Sequence, residues 1–356
     1  MTDPQGNAPA TGESSGAPDD GATGPREREE AAPDDGATGP REREEAAPDD
    51  EADAPPRLLD PREIRARRRP RAILLVWAWE LASAYLVAVP IHAWARKVWG
   101  AHPDGDAVLF RPGGHALLSW LGDEGAALAV VLRTAIVTIA ALGILGQLVT
   151  GALVASLATG TGDRGRPAPT SFALRAGAGS FFPLLGVGVL AGAIEGAVLG
   201  VGLFASSALD HALQPRLGDA RAFTARLALL ALFTVATLAI GVVADLARVT
   251  VARDVAGELT RPAGPRASML AHMRAGVVAA VTTARRALGR ASLAWGWRAA
   301  ASMALVYAGA VAGDLTGERG GGALWLLFAF HQLIVLARAG LRASWLANAL
   351  RLVGRR

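Results

Sequence analysis

The chain has 356 residues, 51% of them hydrophobic, with 36 basic against 32 acidic side chains and a net charge of +4. That apolar share, spread over recurring windows of about 20 residues, excludes an ordinary soluble domain and points to a membrane protein. The lack of cysteine excludes disulfides, thiolate metal sites and cysteine nucleophiles.

Residues 1–56 form an acidic tail of Pro, Asp, Glu, Gly, Ala and Thr, in which PDDGATGPREREEAA at 18–32 recurs unchanged at 33–47. The tail has too little apolar surface to offset the entropy of ordering, so it is expected to be a disordered, solvated spacer. A basic juxtamembrane segment follows at 57–71, PPRLLDPREIRARRRPR with the two preceding prolines, carrying seven arginines. All basic residues but Lys97 are arginine in an Ala- and Gly-rich chain, which reflects GC-rich coding rather than nucleic-acid binding.

Residues 72–350 read as an all-α, polytopic bundle of about six transmembrane helices. A hydrocarbon core of about 30 Å takes about 20 apolar residues. Six segments reach that length, roughly 72–95, 128–157, 181–207, 227–249, 293–313 and 323–346. None shows the two-residue alternation of a barrel strand, so helices are the economical reading. Flanking arginines number 21 on one side and five on the other, alternating along the chain, which places both termini in the cytoplasm. The expected location is a bacterial inner membrane.

Between the fourth and fifth spans, about 266–290, Leu270, Met273, Val277, Val281, Ala284 and Leu288 fall on one helical face. Arg274, Arg285, Arg286 and Arg290 crowd the remainder and would meet anionic headgroups of the bilayer. The outer loop 101–125 is punctuated by HPDGD and RPGG, which read as polar turns.

In the third span, Gly188, Gly192, Gly196 and Gly200 make a glycine zipper, a stripe free of side chains that lets a neighbouring helix approach, whether within the chain or from another protomer. Glu195 borders it. The other intramembrane polar groups are Glu80, Arg133, Gln147, Asp245, Arg248, Arg298, His331, Gln332 and Arg338. A charge at mid-membrane must find a partner, water or a proton. The expected pairings are Glu195 with His331 or Arg133, and Asp245 with Arg248, Arg338 or Arg342.

GVGVLA at 186–191 matches a dinucleotide fingerprint in letters only, because apolar helix runs straight through it. There is no Walker lysine motif, His-Glu-x-x-His or Gly-x-Ser-x-Gly, so no cofactor, metal or catalytic nucleophile is expected. DLARVTVARD (245–254) and HQLIVLARAGLRASWLANAL (331–350) resemble segments of an uncharacterised family of bacterial six-span inner-membrane proteins. The resemblance implies membrane location and no activity. The chain is expected to be a non-enzymatic scaffold or accessory subunit of a membrane complex, partnering another membrane protein or itself. The alternative is a small-molecule or proton-coupled permease using Glu195 and His331.

Overall fold

In hydrocarbon every backbone polar group must be satisfied within the protein, and long apolar runs meet that demand as helices. The computed structural model describes residues 55–99, 125–162, 165–261, 267–316 and 321–355. The acidic tail to residue 54 and the outer loop with its HPDGD turn lie outside the described residues. The helices are α1 Pro70–Trp99, α2 Gly125–Ala158, α3 Thr170–Leu217, α4 Asp219–Leu259, α5 Met269–Thr316 and α6 Gly322–Val353. Each contains a stretch long and apolar enough to cross a membrane. Their outward faces carry bulky apolar side chains, Phe204 at 78% exposure and Leu326 at 75% among them. An apolar surface of this extent needs a non-aqueous solvent. The chain is a multi-pass, all-α membrane protein.

Threonine hydroxyls on these faces are satisfied within their own helices. Thr134, Thr138, Thr224 and Thr234 each donate to the carbonyl four residues back.

Three features depart from the sequence reading. First, the loop expected between the third and fourth spans is mostly helix. At 1.5 Å per residue the 48 residues of α3 run about 70 Å, well past the bilayer core. Only Gly218 breaks the α3–α4 hairpin, with φ of +74°, a conformation that suits glycine. Gln214 Nε2 donates to Asp219 across the turn, and Asp210 pairs with Arg226 at 3.6 Å.

Second, residues 57–71 are more than a basic flank. Strand β1 (Arg57–Leu58) pairs antiparallel with β2 (Thr159–Thr161), which pairs antiparallel with β3 (Arg166–Pro167). Leu59 and Ile64 are buried at 3% and 1% exposure against the ends of the helices. Arg69 is buried and donates through Nη2 to the carbonyls of Thr159 (2.8 Å) and Gly165 (3.3 Å). Burial, with Arg68 nearby, lowers its pKa from the usual arginine value. On the surface, Arg57 pairs with Glu63 at 3.3 Å, and that hydrogen bond lowers the Glu63 pKa. The count of arginines hid two aliphatic residues that plug the bundle.

Third, the amphipathic segment continues into the fifth span as one helix, α5, kinked at Ala287 (φ −143°, ψ 20°). The expected face is buried only in part. Ala284 packs inward and Met273 meets Gly186 of α3, together with His272, Gly276, Ala279, Ala280 and Thr283, while Leu270, Val281 and Leu288 stay exposed beside Arg274 and Arg285. Small residues win because α4 lies close: a Cβ on Gly276 would stand 3.1 Å from the Ala247 carbonyl.

Packing is concentrated at the end of the bundle that bears the sheet. The buried residues of α1, α2, α4 and α6 cluster at Ala72–Val76, Val149–Ala158, Val242–Gly257 and Ile334–Val353. There Gly257 meets Leu58, and Gly354 meets Pro61. Glycines make two further crossings close. Gly151 and Gly177 bring α2 and α3 into backbone contact, and Gly309 receives His331 and Ile334 between α5 and α6.

Candidate functional site: a charged cavity between three helices

A cavity of about 490 Å³ lies between α1, α2 and α6. Each helix turns one face to it. Val76, Trp79, Glu80 and Ser83 follow at helical spacing on α1, and Gly143, Gly146, Gln147 and Thr150 do so on α2. From α6 come Val335, Arg338 and Arg342. Gly143 and Gly146 make the room: a Cβ at Gly146 would lie 3.4 Å from Trp79 Nε1, and one at Gly143 would meet nothing within 4 Å. Val76, Val149 and Leu153 wall the side nearer the sheet and are almost fully buried.

Neutral hydroxyls fix the two arginines. Arg342 Nη2 donates to Thr150 Oγ1 at 3.3 Å, and Arg338 Nε donates to Ser302 Oγ of α5 at 3.0 Å. A reciprocal contact between the same antiparallel helices runs from Arg298 to Ser344, with both bonds at 3.1 Å. The Glu80 carboxylate is within electrostatic range of both cavity arginines. No ion pair of 4.0 Å or less joins it to either among the described residues. Gln147 Nε2 donates to Gly143 O at 3.3 Å, whereas Gln147 Oε1 is buried without a partner.

A second polar centre lies beside the first. Arg248 pairs with Asp245 at 2.9 Å, and buried Trp345 donates its indole N–H to the other carboxylate oxygen at 2.9 Å. A Cβ at Gly188 would stand 3.8 Å from Arg248 Nη2 and 3.9 Å from Gln147 Nε2. Gly188 therefore lies beside one polar side chain from each centre.

Of the residues singled out from sequence, the structure brings Glu80, Gln147 and Arg338 to one cavity and joins Asp245 to Arg248. It does not bring Glu195 and His331 together. Glu195 faces α4, its Oε1 lying 3.4 Å from where a Cβ on Gly241 would be. His331 hydrogen-bonds through Nδ1 to its own helix at Leu327 O (2.9 Å) and packs on Gly309 of α5. Arg133 is exposed on α2, and Gln332 Oε1 is buried and unpartnered. Gly192, Gly196 and Gly200 have nothing within 4 Å of an added Cβ, so no helix among the described residues fills the zipper.

Sequence reasoning missed Thr150 as a cavity residue and Trp345 as a partner of Asp245. Their signal was positional, since each sits on the inward face at the depth of the charged group it serves.

Set against protein-family models, curated proteins and solved structures, the chain matches none. Its chemistry has to be read from these contacts alone.

Proposed function

We propose that the chain is a non-enzymatic scaffold or accessory subunit of a bacterial inner-membrane complex, with both termini cytoplasmic. One observation carries the reading. The stripe Gly192, Gly196 and Gly200 meets no helix among the described residues, although Gly151, Gly177 and Gly276 are in tight contact. In lipid a smooth helix face gains most from close packing against another helix, and a helix of a partner protein or a second copy would supply it. The arginine-rich, sheet-bearing end is assigned to the cytoplasm by the positive-inside rule. Arg274, Arg285, Arg286 and Arg290 are all exposed there, suited to anionic headgroups. A photo-crosslinker placed at Val189 or Leu199, beside the stripe, is expected to trap a discrete membrane-protein adduct or a second copy in native membranes. Adducts from other faces but none from this one would refute the proposal.

The cavity favours a second reading, a permease. A polar chamber at intermediate depth, walled on the sheet side by Val76, Val149 and Leu153, suits a substrate site. In that reading Glu80, Arg338 and Arg342 take the place first given to Glu195 and His331. Flux in liposomes that depends on these three residues, with no associated partner, would select it.

A further inference from the structure

Glu80 lies ten residues into α1, about 15 Å along the helix from Pro70, and two guanidiniums share its cavity. The balance of these three groups is one positive charge, in a place where an uncompensated charge is costly. A structural clasp would set carboxylate and guanidinium in direct contact. Here they stand apart across an open volume, and the arginines rest on hydroxyls that position them without neutralising them.

Each guanidinium has five N–H donors in a planar fork that matches an oxyanion. Arg338 commits its Nε to Ser302, so both of its terminal NH2 groups lack a protein partner among the described residues. Arg342 commits a single Nη2 bond. The opposite wall offers an acceptor, the Glu80 carboxylate. Donors on one wall, an acceptor on the other and about 490 Å³ between them describe a small-molecule chamber.

We infer that this cavity binds an oxyanion-bearing ligand, its carboxylate or phosphate on Arg338 and Arg342 and a hydrogen-bond donor of the same ligand on Glu80. The anionic group belongs to a small solute or to a lipid headgroup, and the site would serve a subunit as well as a permease.

Two arms test the inference on the full chain. In detergent without added lipid, calorimetric titration with glycine, acetate and inorganic phosphate probes the solute, with choline as the cationic control. In nanodiscs, native mass spectrometry compares retention of phosphatidylglycerol with that of phosphatidylcholine. Saturable binding or selective retention is expected in one arm, falling at least tenfold in Arg338→Gln and in Arg342→Gln. Arg133→Gln, outside the cavity, should leave it unchanged. Gly143→Leu provides the variant that touches no charge. It fills open space, so it should fold normally and abolish binding. The inference fails if neither arm shows binding, or if binding survives Gly143→Leu or the paired arginine substitutions.

Discussion

Replacing Gly177 by alanine tests a backbone-to-backbone approach of α3 to α2. The new methyl would lie 2.7 Å from the carbonyl oxygen of Leu148, 2.9 Å from the amide nitrogen of Ala152 and 3.1 Å from its Cβ. Carbon contacts are comfortable at about 3.5 Å or more. The nearest obstacles are backbone atoms, which no rotamer change can move, so α3 has to retreat from α2 by roughly half an ångström or more. Overpacking of this kind costs about 1–3 kcal/mol, and rigid neighbours argue for the upper half of that range. Alanine returns up to about 1 kcal/mol through helix propensity. The net loss is therefore about 1–2 kcal/mol, a factor of roughly 5–30 in the folding equilibrium. Gly196→Ala is the matched control, because its methyl enters open space and only the propensity gain remains. Reversible unfolding of both variants in one detergent should separate them by about 2–3 kcal/mol, with Gly177→Ala the weaker. Equal stabilities would mean that α2 and α3 do not cross at Gly151 and Gly177.

Arg69→Met should cost about 1–3 kcal/mol, because the buried Thr159 carbonyl loses its donor. Faster amide exchange across 159–167 would locate the damage, and unchanged exchange would mean that Arg69 does not hold the sheet. Asp245→Asn leaves Arg248 without its carboxylate and weakens the Trp345 bond. The pair is about one quarter exposed, so a loss of about 2 kcal/mol is expected rather than the 3–5 kcal/mol of a fully buried pair. Restored melting in the Asp245→Asn, Arg248→Gln double variant would confirm that the stranded charge is the cause. The lowered pKa of Glu63 fixes a sign. Its contribution is complete above the ordinary carboxylate value of 4.5 and disappears as pH falls through the lower folded value. Both partners are more than a third exposed, so the effect should stay below about 0.5 kcal/mol. Glu63→Gln should flatten the acid limb of stability by no more than that.

The six helices were legible because hydrocarbon imposes one requirement, length of apolar chain, and composition alone meets it. The Asp245–Arg248 pair was legible because residues three apart on one helix are neighbours whatever the tertiary arrangement. The cavity was only half legible. Glu80, Gln147 and Arg338 stand out as polar letters in apolar runs, but rotation and neighbour order of the helices decide which of them meet. The zipper misled in a similar way. Gly188 serves Gln147 and Arg248, and the glycines in tight contact, Gly151, Gly177 and Gly276, lie in mixed small-residue segments whose pattern is less regular. The sheet at 57–167 was hidden because strands of two or three residues have no periodicity to read.

Depth along the helices sorts the polar groups that found company from those that did not. Glu80, Gln147, Thr150, Asp245, Arg338 and Arg342 lie between eight and 15 residues from the sheet-bearing ends of their helices, about 12–23 Å. Arg133, Glu195 and His331 lie 22 to 25 residues away, about 33–38 Å. The first group occupies the zone where the bundle is closely packed, and there side chains from α1, α2, α4 and α6 reach one another. The second group sits where most faces of the same helices are exposed, and its members turn to their own helix or to a single neighbour. An ionisable group that its own fold leaves unpaired at such a depth needs compensation from elsewhere: headgroups, water or another protein. Glu195 stands one position before Gly196 but turns toward Gly241 of α4, so the carboxylate and the open glycines lie on different faces of α3 at one depth. A helix docking on that stripe would settle beside the α3–α4 seam that holds Glu195, and would lower the exposure of the carboxylate without having to pair with it.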